Sequence, residues 1–308
     1  MQKNELTIAL PSGKSLQAKT DELLAAANIS VSRPNPRSCI AGVSGFPDLT
    51  RAIYCKPDSI PMLVRNGNVQ LGITGEDNVL ENGGTRREDE RESLVEIVTL
   101  SYSRATDKAT SGVLFTPEDN PINCIEDIKG QSLPTPVATE YPAETASYLS
   151  RWGVSARFIP CSGGAESVVK AGMCSYGVAL TETGDTLREN RLKIIGTVFT
   201  SNTVLIARAS LLSNQETDAR VRFLGRLLVG TLEARSRIYL AMNAPVEKVE
   251  DIKKILPALQ SPTVQPLAIL GFVSIASVVP AKDVNELILK LECLGASGFV
   301  KDRPSLVM

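Results

Sequence analysis

The chain has 308 residues, 43% hydrophobic and 22% charged, a balance that excludes a disordered or low-complexity protein and predicts two or three domains. A formal net charge of −1 gives no reason for a nucleic-acid partner, and no window approaches the ~20 apolar residues of a membrane span. The complete absence of histidine excludes a Ser-His-Asp triad, a Cys-His pair and imidazole metal ligands, and six cysteines without a C-x-x-C pair read as reduced, mostly buried thiols of a cytoplasmic protein.

The first five residues are polar and carry no signal-peptide core. From residue 6 to about 205, short apolar runs alternate with amphipathic stretches, the pattern of an α/β fold. Residues 6–10 predict a buried strand ended by Pro11-Ser12-Gly13. Ser15 is placed to cap a helix over 16–27, with Leu16, Leu23, Leu24 and Ala27 on one face. Residues 69–74 predict another strand, closed by Gly75, and 83–93 a polar connection. A second α/β unit follows from about 95 to 182. It has strands at 112–116 and 137–138, a helix at 143–152 ended by Gly153, a strand at 156–159 and one at 176–180 entering a Thr-Gly-x-Thr turn. Residues 194–198 and 203–207 are β-rich and lead back to the first unit. Two lobes joined by crossing strands leave a cleft, the usual place for a small-molecule site.

The pattern changes after about 215. A helical segment over 217–239 carries Val221, Leu224, Leu228 and Leu232 on one face. A strand at 239–242, a helix at 246–256, strands at 263–269 and 272–278, a helix at 282–294 and a strand near 298–300 complete a β-α-β-β-α-β order, the ferredoxin-like arrangement. The expected division is lobe I over 1–94 with about 190–216, lobe II over 95–189, and a regulatory or oligomerisation module over 217–308.

The chemistry-bearing candidate is Thr183-Gly184-Asp185-Thr186 at a strand-to-helix turn. Gly184 lets the backbone turn and approach an anion, the following amides point outward, and two hydroxyls add donors. On its own such a turn is more often an ordinary corner with Thr186 as helix cap. Lys14, Arg37 and Lys56 are basic positions that could converge on a polyphosphate, although lone basic residues are usually solvated surface. Residues 70–75 read as a strand whose end is kept small for a ligand.

Several runs then occur in order: Leu10-Pro11-Ser12-Gly13-Lys14; Ile60-Pro61; Leu71-Gly72-Ile73-Thr74-Gly75; Val137-Ala138-Thr139 with Tyr141-Pro142; Gly163-Gly164-Ala165-Glu166; Glu182-Thr183-Gly184-Asp185-Thr186-Leu187-Arg188-Glu189-Asn190; Asn243-Ala244-Pro245; Pro262-Thr263-Val264; and Leu294-Gly295-Ala296. With them the chain resembles, over nearly its whole length, ATP phosphoribosyltransferase in its long form with a C-terminal regulatory domain. The resemblance implies two periplasmic-binding-protein-like α/β lobes around a cleft plus a ferredoxin-like regulatory domain. It implies a glycosyltransferase joining adenine N1 of ATP to C1 of 5-phosphoribosyl 1-pyrophosphate, with release of pyrophosphate, as the first step of histidine biosynthesis. It further implies substrate-borne Mg²⁺, histidine as allosteric inhibitor, and a homo-oligomer (dimer or hexamer). Adenine N1 carries no proton at neutral pH, so a histidine-free site suffices if it positions both substrates and neutralises the leaving pyrophosphate.

On this resemblance Thr183, Gly184, Asp185 and Thr186 hold the 5′-phosphate and Glu166 faces the ribose. Lys14, Arg37 and Lys56 neutralise phosphates as the catalytic cations, while Gly13, Thr74 and Tyr141 join in substrate binding. The sequence departs from the family in places. Ser12-Gly13-Lys14 stands where Lys-Gly-Arg is usual, and Ser175 and Ala179 stand where aspartates are usual. If those carboxylates serve the sugar, Ser175→Asp should raise activity. A relative that keeps the fold but has impaired turnover, and a two-lobed small-molecule binding protein, are the other readings.

Overall fold

An apolar first strand, buried on both faces, sets the architecture. Leu6–Pro11 (β1) pairs in parallel with Leu49–Cys55 (β4) on one side and Leu71–Gly75 (β5) on the other. Strands inside a parallel sheet are covered on both sides, so their residues read as a continuous apolar run rather than an alternation. The computed structural model describes residues 5–82, 93–102, 109–129, 134–161, 163–259 and 261–308. Of the polar connection expected at 83–93, all but Ser93 lies outside the described residues.

The chain separates into two compact units, Met1–Gly225 and Arg226–Met308. The first begins with β1, Lys14–Ala26 (α1), Ser30–Ser32 (β2), Ile40–Ser44 (β3), β4, Ile60–Arg65 (α2), β5, Glu76–Glu81 (α3) and Leu94–Leu100 (β6). It continues through Thr110–Pro117 (β7), Thr135–Thr139 (β8), Pro142–Arg151 (α4), Ala156–Pro160 (β9), Ala165–Lys170 (α5), Tyr176–Thr181 (β10), Asp185–Glu189 (α6), Leu192–Ser201 (β11) and Thr203–Arg208 (β12), and its boundary with the second unit falls at Gly225, inside Gln215–Ala234 (α7). Among the described residues these strands form a seven-stranded sheet, β2-β3-β4-β1-β5-β12-β6, and a five-stranded sheet, β11-β7-β10-β8-β9. The chain passes from the first sheet to the second after β6 and returns at Asn202, between β11 and β12.

Two helix starts differ from the sequence expectation. Helix α1 begins at Lys14 with Gly13 at the cap position, so Ser15 falls inside the first turn instead of capping it. The residue capping α6 is Gly184, not Thr186.

The second unit contains Arg237–Pro245 (β13), Val249–Ile255 (α8), Thr263–Pro266 (β14), Phe272–Pro280 (β15), Val284–Cys293 (α9) and Ser297–Asp302 (β16). Its sheet runs β14-β15-β13-β16 with every neighbour antiparallel, which is the ferredoxin-like arrangement. Leu240, Met242, Ile275 and Val279 of the sheet share a core with Ile252 of α8 and Leu287 and Leu291 of α9. The helical segment expected to reach 239 stops at Ala234. The amides of Arg235 and Ser236 turn back onto the carbonyls of Leu232 and Glu233, three residues behind, and the tightened turn releases the chain into β13. Among the described residues no helix is long and apolar enough to cross a membrane.

Candidate active site

Ligands of open α/β sheets gather outside the carboxyl ends of the parallel strands. Nearly every candidate residue stands at such an end. Gly13 and Lys14 follow β1, Lys56 follows β4, and Thr74 closes β5. In the second sheet Tyr141 follows β8, Glu166 begins α5 after β9, and Thr183 to Thr186 follow β10. Arg37 lies in the connection from β2 to β3, and it reaches the same rim by a different route. Strand β3 runs antiparallel to β4 with Ile40 opposite Ile53, and the Tyr54 amide donates to the Cys39 carbonyl at 2.7 Å, so residues just before β3 lie beside the end of β4.

Two recesses open at these rims. One, about 260 Å³, is lined by Thr110, Glu166, Leu180 and residues 181–183, 186 and 187. A narrower one, about 40 Å³, runs from Thr110 and Leu180 to Leu16, Pro57, Gly75, Asp77, Asn78, Ser201, Asn202 and Thr203. Thr110 and Leu180 line both, so the two recesses lie side by side.

The turn after β10 is shaped by its own backbone. Gly184 has φ 76°, in the left-handed region that strains other L residues. Its amide donates to the Thr181 hydroxyl at 2.8 Å, and the Asp185 amide makes only a long contact of 3.4 Å to the Thr183 hydroxyl. Among the described residues, nothing accepts from the amides of Thr186 and Leu187, which open α6. Thr183 and Thr186 are exposed beside them. A cluster of free donors around a left-handed glycine is an anion-binding geometry. The Asp185 carboxylate accepts from the Thr183 hydroxyl and from the Arg188 guanidinium, which together hold it below the usual carboxylate range.

The remaining candidates are disposed differently. Thr74 is fully buried, and its hydroxyl donates to the Pro57 carbonyl at 2.8 Å, tying the end of β5 to the turn after Lys56. Tyr141 is buried and meets the Phe199 ring edge-on at 5.1 Å, with its amide donating to the Thr139 hydroxyl. Lys56 and Arg37 are exposed on the first lobe's rim. The Lys14 side chain lies outside the described part of the structure. Burial pushes the Cys161 thiol up, with the charges of Glu140 and Glu166 adding to it, so both carboxylates sit near the end of β9. Among the described residues no group of three or more His, Cys, Asp or Glu could hold a metal ion.

Ser175 and Ala179 occupy very different surroundings. Ser175 is exposed just before β10, about six residues or roughly 20 Å of strand from the turn. Ala179 is 6% exposed and belongs to an apolar cluster with Val113, Phe115, Ala165 and Leu187. The sequence reading missed Thr110, Thr181, Asp77 and Ser201. Thr181 adjoins the recognised turn, and Ser201-Asn202 separates two β-rich runs, which is the visible sign of a strand crossing. Asp77 and Thr110 carry no comparable signal.

Comparison with known proteins follows the same lines. The ATP phosphoribosyltransferase (HisG) family matches residues 56–228, and the HisG C-terminal domain family matches residues 234–301. An ATP phosphoribosyltransferase of Chlorobium phaeobacteroides is 33% identical over 296 residues, covering 96% of this chain and 95% of the relative. One from Chlorobaculum parvum is 34% identical over 296 residues, with the same coverage of 96% and 95%. Among solved structures, the ATP phosphoribosyl transferase (HisG:HisZ) complex from Thermotoga maritima matches with TM-score 0.59 at 24% identity, over 74% of this chain and 98% of that one. This last likeness is one of fold.

Proposed function

This chain belongs to the ATP phosphoribosyltransferase family, and on that premise we propose how its cleft carries the family reaction. The enzyme condenses ATP with 5-phosphoribosyl 1-pyrophosphate to give N1-(5-phosphoribosyl)-ATP and pyrophosphate, the first step of histidine biosynthesis. The observation that carries our assignment of the site is the pair of free amides, Thr186 and Leu187, behind the left-handed Gly184 at the carboxyl rim of β10.

In this reading the 5′-phosphate sits on those amides, with the Thr186 hydroxyl as a further donor and Thr183, whose own hydroxyl donates to Asp185, shaping the turn, and Glu166 faces the ribose. The sugar's C1 then points across the cleft to the first lobe. There Gly13 lets the chain pass close to the nucleotide, and Lys14, Arg37 and Lys56 offset the phosphate charge. Adenine N1 attacks C1 with its ring lone pair while the C1–O bond to pyrophosphate breaks, and no protein base has to move a proton. Positioning and charge neutralisation supply the rate. Mg²⁺ enters on the pyrophosphate, whose oxygens supply most of its ligands. Thr74 and Tyr141 act from behind the surface, Thr74 by fixing the Pro57 turn and Tyr141 by fixing the start of α4.

The βαββαβ unit is the regulatory domain, where histidine binds as inhibitor in a homo-oligomer, dimer or hexamer. A cytoplasmic setting accords with six free cysteines, although only Cys174 is buried, against the expectation that most would be. Calorimetry with Thr186→Ala tests the phosphate assignment. Loss of one hydrogen bond to a charged group, about 1.5 kcal/mol, should weaken phosphoribosyl pyrophosphate binding by about tenfold while ATP affinity holds. Unchanged affinity would remove Thr186 from the site.

A further inference from the structure

The four first amides of α4 can each be accounted for, and two of them are satisfied from the other lobe. Pro142 has no N–H, and the Thr145 amide donates to the Tyr141 carbonyl at 2.9 Å. The Ala143 amide donates to both carboxylate oxygens of Glu81, at 2.9 and 3.0 Å, and the Glu144 amide donates to Glu81 Oε2 at 3.1 Å. Glu81 is the last residue of α3, which follows β5 in the first sheet, whereas α4 follows β8 in the second. Among the described residues no side chain of the second lobe caps α4. The other end of α3 is tied as well. The Glu76 amide donates to the Asn202 carbonyl at 2.8 Å and the Asp77 amide to Ser201 Oγ at 3.0 Å, while Ser201 Oγ donates to Asp77 Oδ1 at 2.5 Å. Ser201 and Asn202 are where the chain crosses between the sheets. Helix α3 therefore grips the crossing strand at its start and the second lobe at its end, and its residues Asp77 and Asn78 line the recess between.

We infer that Glu81 is a positioning residue, a carboxylate latch that holds the second lobe's phosphate turn at the distance from the first lobe that the two substrates require. The inference rests on the phosphoribosyl-transfer reading of the cleft. A carboxylate on two free amides at a helix start combines charge-assisted hydrogen bonds with a favourable helix dipole. Both favour one lobe arrangement, and substrates that span the cleft bind that arrangement. Without the latch the competent fraction falls, and apparent affinity falls with it for both substrates. A bound complex, once assembled, turns over as before.

The test compares wild type, Glu81→Ala and Glu81→Gln in the full chain by steady-state kinetics, amide exchange at Ala143 and Glu144, and thermal melting. For Glu81→Ala the expected result is a rise of about tenfold in KM for both ATP and phosphoribosyl pyrophosphate, kcat within about twofold, and exchange at the two amides about tenfold faster. Glu81→Gln, whose amide oxygen still accepts, should recover part of both effects and keeps the test valid if Glu81→Ala does not fold. Wild-type KM values in Glu81→Ala, or a fall in kcat with KM unchanged, would overturn the latch. Unaltered exchange at both amides would do the same without reference to activity. If wild type makes no phosphoribosyl-ATP, the functional reading fails, and the exchange data still decide whether Glu81 holds α4.

Discussion

Strand β10 presents two neighbouring questions about missing carboxylates, and burial answers them in opposite ways. Leu180 lines the recess; Ala179, on the strand face it shares with Thr181, is buried and packs among Val113, Phe115, Ala165 and Leu187. A carboxylate there would sit without a partner in an apolar cluster, at a cost of several kcal/mol. Ser175 lies outside the strand's far end, its carbonyl accepting from the Thr116 hydroxyl at 2.8 Å. We therefore expect Ala179→Asp to lower the melting temperature by about 10 °C or to abolish folding. Ser175→Asp, on an exposed residue roughly 20 Å from the turn, should leave kcat/KM within about twofold. The sequence alone leads to a different expectation, that Ser175→Asp raises activity if the missing carboxylate serves the sugar. Melting curves and steady-state kinetics on the two variants decide it, and a clear gain in turnover with Ser175→Asp would contradict the placement. At this scale the sequence showed which residue types stand before the turn, but not which face of the strand they occupy or how far away they lie.

The elements differ sharply in how legible they were. Strands β1 and β10 announce themselves as short apolar runs that end in glycine-bearing turns, and the turn chemistry after β10 follows from Thr183-Gly184-Asp185-Thr186. The βαββαβ order of the last unit was also readable, because each element has its own periodicity and breaker. Helix α3 was not. It has six residues, too few to show a helical repeat, and its meaning depends on partners 62 positions away at Ala143 and 124 positions away at Ser201. Spacing within a segment does not encode such contacts. Lys56 and Arg37 show the middle case. Each reads as a lone surface cation, and only the antiparallel pairing of β3 with β4 shows that both stand on one rim.

On the scale of the whole molecule, the chain holds two units of different design. The first holds two sheets with adjoining recesses at their carboxyl rims, and the second is a small antiparallel sheet packed against α8 and α9. The proposal that histidine acts through the second unit makes a direct prediction for the full chain. Millimolar histidine should slow amide exchange within Arg237–Asp302 and lower turnover, since a ligand that shifts activity must bind one state more tightly than the other. Inhibition with exchange changes confined to the first unit would instead point to histidine competing in the cleft.

The most direct measurement is product formation by the purified 308-residue chain, supplied with ATP, phosphoribosyl pyrophosphate and Mg²⁺ and followed by the appearance of N1-(5-phosphoribosyl)-ATP and pyrophosphate. Phosphoribosyl transfer in this cleft predicts both products in equal amounts, their rate falling at sub-saturating phosphoribosyl pyrophosphate in Thr186→Ala. No phosphoribosyl-ATP from well-folded wild type would contradict it.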